Sequence, residues 1–237
     1  MALPKLNDSP SYRMTIPSTG QEVSYRPYLV KEEKQMMIAS ETGDQKQIME
    51  TMARTIQACI TEEFNINTLT TFDIEYMFTQ IRSRSVGENV DIEIKCEKEE
   101  CLHKTEVKIN LTEARVDVPK VSNIIQLNEK ISVEIRWPTY VDVYQNYKQD
   151  GSEVDFGFTM LERCIVAILT EDERFDTKDV NQKEVAEFLN SMTTQQLGLL
   201  SDFISQTPQL EKDVEWVCGS CGHENKYTIR GMQDFFS

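Results

Sequence analysis

Four of the six cysteines in this chain fall in two pairs, and thiolates in pairs are metal ligands before they are anything else. Cys218-Gly-Ser-Cys221 has the tight spacing that presents two sulfurs to one ion from a single turn. Gly219 and Gly222 leave the backbone there free to fold so that its amides point at the sulfurs. Cys96 and Cys101 form the second pair, with four residues between them rather than two, the wide end of zinc-site spacing. After each pair come one residue, a histidine, a polar run and a β-branched residue, and Cys101 to Ile109 matches Cys221 to Ile229 in length.

A structural zinc site takes four tetrahedral ligands, so one pair is half a site. The sequence therefore predicts one zinc-ribbon-like element split along the chain, with Cys96, Cys101, Cys218 and Cys221 around a single structural Zn2+ per chain. The stretch of about a hundred residues between the pairs is then an insertion, and its length is no obstacle because loop-closure entropy grows only slowly. His103 and His223 each lie two residues past the second cysteine of their pair. A Cys-x-His step is crowded for both side chains to reach one ion, so the imidazoles are expected beside the site or on the surface. The alternative is a three-cysteine, one-histidine site to which the looser Cys96 pair gives one thiolate. A redox reading of Cys218 and Cys221 fits less well, since a reactive dithiol opens a helix and here a strand follows. Four thiolates also close the coordination shell, which argues for a structural rather than a catalytic ion. Cys59 and Cys164 fall on apolar helical stripes and read as small core residues.

Other catalytic apparatus is missing from the sequence. No HExxH, GxSxG, GxxxxGK[ST] or GxGxxG occurs, and both histidines sit beside the paired cysteines, so an enzyme is not expected. The acidic run EDERFD, Glu171 to Asp176, reads as a solvated loop. The net charge of -15 predicts repulsion from nucleic acid and anionic membranes, and no basic stripe offsets it. No apolar run approaches the roughly 18 residues of a membrane span. The opening MALPKLNDSP has no basic region followed by an apolar run, so a signal peptide is not expected, and the cysteines should remain thiols or metal ligands in a cytosolic setting.

The elements that must position the cysteines can be read from periodicity. Tyr12, Met14 and Ile16, then Val23 and Tyr25, alternate around a Pro17–Gly20 turn and predict a hairpin. Asp44 caps a helix to about Ile60, bearing Ile48, Met49, Met52, Ile56 and Cys59. A second helix starts at Thr70 or Thr71, carries Ile74, Met77, Phe78 and Ile81, and ends before Gly87. VDIEIK and TEVKINL are strands on either side of the first knuckle. VDVP, NIIQL and KISVEIRWP read as further strands, and TYVDVYQNY as a short helix bracketed by Pro138 and Gln149-Asp150-Gly151. Leu161, Cys164, Ile165 and Ile168 read as one helical stripe, and Val185, Phe188, Leu189 and Met192 as another, capped by Asn181 with Glu184. Thr193 with Gln196 opens a third helix, which Pro208 stops. DVEWV and KYTI flank the second knuckle, and MQDFF ends the chain as a turn of helix or an apolar plug, with Phe235-Phe236 docking either on the ribbon or on a partner.

These elements predict an α+β fold, helix-rich, with antiparallel hairpins and the split ribbon. Four segments follow: residues 1–88, a hairpin plus helices; 89–138, the first knuckle hairpin and strands; 139–210, helical; and 211–237, the second knuckle hairpin and tail, packed with 89–110.

Two longer stretches add a resemblance. IPSTGQEVSYRPYLVKEEK, Ile16 to Lys34, and FDIEYMFTQIRSRSVGE, Phe72 to Glu88, resemble the N-terminal signature and central helix of the T-even-like phage baseplate hub assembly proteins. The two knuckles and the closing GMQDFF, Gly231 to Phe236, resemble later landmarks of the same family, although Cys96 and Cys101 are set wider than the two-residue spacing expected in the first knuckle. The resemblance implies a late viral protein in the cytoplasm of an infected bacterium, without enzymatic activity, used when the hub at the baseplate centre is built. It implies other hub proteins as partners. Members act either as chaperone-like assembly factors or as hub components retained in the virion, and the resemblance leaves both open.

Overall fold

The computed structural model describes residues 9–147 and 152–235. The first eight residues, the Gln149–Gly151 break and Phe236 lie outside the described residues. The chain begins with a hairpin of β1 (Tyr12–Thr15) and β2 (Glu22–Tyr25), followed by α1 (Val30–Thr42), α2 (Gln45–Cys59) and α3 (Thr71–Ser85). Next come β3 (Asn89–Lys95), β4 (Lys104–Asn110), β5 (Arg115–Val116), β6 (Ile124–Gln126) and β7 (Ser132–Ile135). Then α4 (Tyr140–Asn146) and α5 (Glu153–Cys164) lead into β8 (Ile165–Leu169) and β9 (Arg174–Asp176). After α6 (Gln182–Asn190) and α7 (Thr194–Ser205), the chain closes with β10 (Leu210–Val217), β11 (Glu224–Arg230) and α8 (Gly231–Phe235). The fold is α+β, and the pairings between these strands are antiparallel. No helix of the described residues is long and apolar enough to cross a membrane.

Several helix starts follow from local chemistry. Asp44 accepts the backbone N–H of Lys46 and Gln47 and so satisfies orphan donors at the start of α2. Reciprocal capping boxes open α6, from Asn181 and Glu184, and α7, from Thr193 and Gln196. The β1–β2 turn places Gly20 at φ +70°, a left-handed conformation suited to glycine. α1 carries no apolar stripe that announces it; it starts where buried Glu32 accepts the Leu29 N–H at 2.8 Å and Arg26 at 3.0 Å.

Two compact units divide the chain. Unit 2 is Asn67–Thr71 with Val118–Pro208, and unit 1 is everything on either side of those stretches. In unit 2 the sheet β6-β7-β8-β9 shares a core with α5, α6 and α7 through Val133, Ile135, Cys164, Val185, Leu189 and Leu200. The apolar run expected as one helical stripe divides at Cys164. Leu161 and Cys164 stay on α5, while Ile165 and Ile168 belong to β8, where Ile168 pairs with Val133 and Phe175. A short apolar run rich in β-branched residues satisfies either period, and the open edge of β7 decides for the strand. EDERFD is likewise no simple loop: β9 takes its last three residues, and Arg174 bridges Glu134 and Asp176 across the sheet.

Unit 1 holds the β1–β2 hairpin, nearly all of the first three helices and both knuckle hairpins. Asp73, fully buried on α3, accepts the backbone N–H and hydroxyl of Ser18 at 2.9 and 2.6 Å, which ties the β1–β2 turn to that helix. Glu75, two residues along, feels the backbone N–H groups of Met232 and Leu210, which places α3 beside both ends of the second knuckle hairpin. The β3–β4 and β10–β11 hairpins share one core through Ile92, Ile109, Leu111, Val214, Trp216 and Ile229. Phe235 is fully buried in that core, so the chain's own ribbon takes it.

Candidate metal centre

The two knuckles have one geometry. In the first hairpin the last pair is Lys95 with Lys104; Cys96 follows the outgoing strand and His103 precedes the returning one. In the second the last pair is Val217 with Glu224, flanked in the same way by Cys218 and His223. Each knuckle is closed by the N–H of its first cysteine donating to the histidine carbonyl, at 2.9 Å for Cys96 to His103 and 2.8 Å for Cys218 to His223. The repeated histidines thus contribute a main-chain oxygen, while both side chains are exposed. The wider first loop takes up its two extra residues in a turn in which the Cys101 N–H donates to the Lys98 carbonyl at 2.8 Å. The tighter second loop needs a left-handed residue, and Gly222 supplies it at φ +68°. A Cβ on Gly219 would come to 4.0 Å from His103 Nε2, so the first knuckle's imidazole reaches across to the second turn.

All four predicted ligands come together. The Sγ atoms of Cys96, Cys101, Cys218 and Cys221 lie within 4.8 Å of one another, and neither histidine belongs to the group. Cys96 Sγ is 3.8 Å from Cys221 Sγ, and Cys101 Sγ is 3.8 Å from Cys218 Sγ. A tetrahedron with metal–sulfur bonds of about 2.3 Å has edges of about 3.8 Å. A disulfide would need sulfurs about 2.05 Å apart. The spacing and the donor set therefore fit a single tetrahedral ion that favours thiolate, and the four cysteines could bind a metal.

Local electrostatics prepare the site for such an ion. The N–H groups of Cys221 and Ser220 hold the Cys218 thiol down to about 6, which favours the thiolate. At Cys101 the His103 amide also pulls downward, but the neighbouring Cys221, Cys218 and Cys96 thiols outweigh it and push the group up to about 11. Four close sulfurs cannot all ionise without a positive charge among them. Cys96 and Cys218 are buried, Cys101 is half-buried and Cys221 is exposed, so the cluster has one side toward solvent. Cys59 and Cys164 stand apart from it as fully buried thiols, pushed up to about 11 and about 12 by burial.

Sequence reasoning missed the residue that fastens the two halves. Asn225, 2% exposed, accepts the Glu97 backbone N–H at 2.8 Å and donates to the His223 carbonyl at 2.9 Å. Glu97 answers with its carboxylate on the Lys226 N–H at 3.2 Å. Each knuckle therefore holds the other through bonds independent of any ion. The signal was an asparagine on an inward-facing strand position, four residues past Cys221. The same position past Cys101 is Thr105, whose buried hydroxyl has no hydrogen-bond partner.

With the geometry in place, comparison with known proteins identifies relatives. The model of the T4 bacteriophage base plate protein family matches residues 9–237. The baseplate hub assembly protein gp26 of Enterobacteria phage T4 is 22% identical over 226 residues, which cover 95% of this chain and 97% of that protein. No solved structure matches the chain.

Proposed function

The chain belongs to the T4 bacteriophage base plate protein family, and we propose that it is a tail assembly factor, a chaperone-like protein that binds baseplate hub subunits while a contractile phage tail is built. The observation that carries this reading is the likeness, along almost the whole of both chains, to a hub assembly protein. Cys96, Cys101, Cys218 and Cys221 hold one structural Zn2+ in this proposal, which fixes the two knuckles of unit 1 and does no chemistry. The protein acts through its surfaces rather than as an enzyme, late in infection, in the cytoplasm of the bacterial host. Its charge of -15 suits it to shield a basic face of a hub subunit and to be displaced by competition, which makes the binding salt-sensitive.

The test has two arms. Affinity capture from infected cells, read by mass spectrometry, is expected to recover hub proteins with this chain. Mass spectrometry of purified particles is expected to find it absent or far below the copy number of hub components. Stoichiometric copies in the finished particle would replace the assembly factor with a retained hub component.

A further inference from the structure

Unit 1 carries a cleft beside the metal centre, with Cys96 in its lining. Its volume is ≈ 450 Å³, and it runs along β3, with Ile92 and Ile94 on one wall and Tyr227, Ile229 and Asp234 on the other. Ile92 and Ile229 are buried, Ile94 is half-buried and Tyr227 is 41% exposed, so the apolar space between the two knuckle hairpins opens on this side.

The backbone beside the cleft has hydrogen-bonding capacity to spare. In an antiparallel pair, alternate residues turn their N–H and C=O toward the partner strand. The bonds from Cys96 N to His103 O and from Leu111 N to Glu88 O set the phase, so residues 90, 92 and 94 face β4 while Asp91, Glu93 and Lys95 face away. The next outward N–H, that of Glu97, is the one Asn225 accepts, which turns this outer edge toward β11. Among the described residues, no partner strand lies beyond the outer edge of β3. The opposite wall is guarded: on β11 the N–H groups of Lys226 and Arg230 are covered by the carboxylates of Glu97 and Asp234, at 3.2 and 3.3 Å.

A seven-residue edge strand without such cover is a template for another strand. We infer that β3 is where a partner polypeptide adds an extended strand, with apolar residues at alternate positions facing Ile94 and Tyr227 and basic residues between them facing solvent beside Glu93. Main-chain bonds to Asp91, Glu93 and Lys95 supply the affinity, and the alternate side chains supply the selection. From Asp91 to Lys95 the open edge is about 13 Å long at about 3.3 Å per residue. Charge complementarity argues for the basic residues: Glu93, Glu97, Glu99 and Asp234 line the cleft against only Lys95 and Lys98. Glu93 already pairs with Lys104 across the hairpin at 2.6 Å, which shows that an ammonium group fits there. That the partner is a hub subunit rests on the function proposed above; the edge and its charge do not.

The test uses the full-length, metal-loaded protein and a synthetic nine-residue peptide of alternating lysine and valine. Controls replace lysine by glutamate or place proline at the centre. The lysine–valine peptide is expected to slow hydrogen exchange at the Glu93 and Lys95 amides by about tenfold or more at saturation. Added salt should weaken its binding, and so should Tyr227→Asp and Glu93→Lys, with circular dichroism and metal content unchanged. Equal binding of the glutamate peptide, or binding that leaves those two amides unprotected, would overturn the inference. Protection that grows with protein concentration in the absence of peptide would also overturn it, because the occupant would then be a second copy. Purified hub subunits separate the two readings. Capture undiminished in Tyr227→Asp would remove the cleft and keep the assembly factor, whereas peptide binding without any hub capture would do the reverse.

Discussion

Asn225 and Thr105 occupy equivalent places in the two knuckle hairpins, yet replacing them should move stability in opposite directions. Removing the Asn225 side chain in Asn225→Ala deletes the bond from the Glu97 N–H at 2.8 Å and the bond to the His223 carbonyl at 2.9 Å. At about 0.5–1.5 kcal/mol net for each, the cost is about 1–3 kcal/mol. The His223 carbonyl keeps its bond from Cys218 at 2.8 Å, so the knuckle itself should survive the change. Thr105 makes no such bond, and its hydroxyl is buried without a partner. Thr105→Val replaces that hydroxyl by a methyl group of the same shape and should stabilise by up to about 1 kcal/mol. Urea unfolding of the metal-loaded protein, followed by tryptophan fluorescence, measures both. Competition with a chromophoric chelator should show metal affinity falling by about 10- to 100-fold in Asn225→Ala, as for other groups that orient ligands, and unchanged in Thr105→Val. If Thr105→Val destabilised the protein as much as Asn225→Ala, the idea that Asn225 joins the two halves would be wrong.

Metal analysis should give about one zinc per chain, and at a free concentration of about 100 times Kd the ion should add about 2.7 kcal/mol that chelation removes; two zincs per chain, or none, would defeat the shared four-cysteine site. In unit 2, burial pushes the Asp142 carboxyl up, but Arg136 and Thr139 outweigh it and hold the group below its usual value. Its contribution is therefore complete at neutral pH and lost as pH falls through the folded value, so the stability gap between the wild type and Asp142→Asn should shrink in acid. Burial lifts the Glu75 carboxyl above the usual range despite the Met232 and Leu210 N–H groups. That contribution runs the other way, present below the ordinary glutamate value and lost as pH rises through the folded one. The advantage of wild type over Glu75→Gln should accordingly fall between acid and neutral pH, and a gap that widened would refute this account of Glu75.

The sequence was most readable where one local rule decides the outcome. Asp44, Asn181 and Thr193 each satisfy orphan amides within their own helix, so their caps are legible without the rest of the fold. The matched flanks of the two cysteine pairs pointed to one cluster for a similar reason, since half a coordination shell needs another half. The run from Leu161 to Ile168 failed because its division at Cys164 depends on β7, a strand some thirty residues earlier whose open edge takes Ile165 and Ile168. Asn225 offered only its type and strand position as a signal, because its partner is the main chain of Glu97, 128 positions away, and a backbone amide has no sequence identity to read. The histidines lie where the crowded Cys-x-His step puts them, outside the cluster and exposed, but nothing in the sequence showed that their carbonyls close the knuckles.

The distance between the half-sites has a consequence in time. Cys218 follows Cys101 by 117 positions, so at about 5–20 residues per second a ribosome needs roughly 6–23 s between them. Through that interval the first knuckle waits with two thiols and no counterpart, while the whole sheet of unit 2 is synthesised. A chain cut short anywhere in the interval can never complete the cluster. Closure of the clasp therefore marks a polypeptide that has been read past Cys221, and a nascent chain holds the Asn225 bridge only after all of unit 2 has left the exit tunnel.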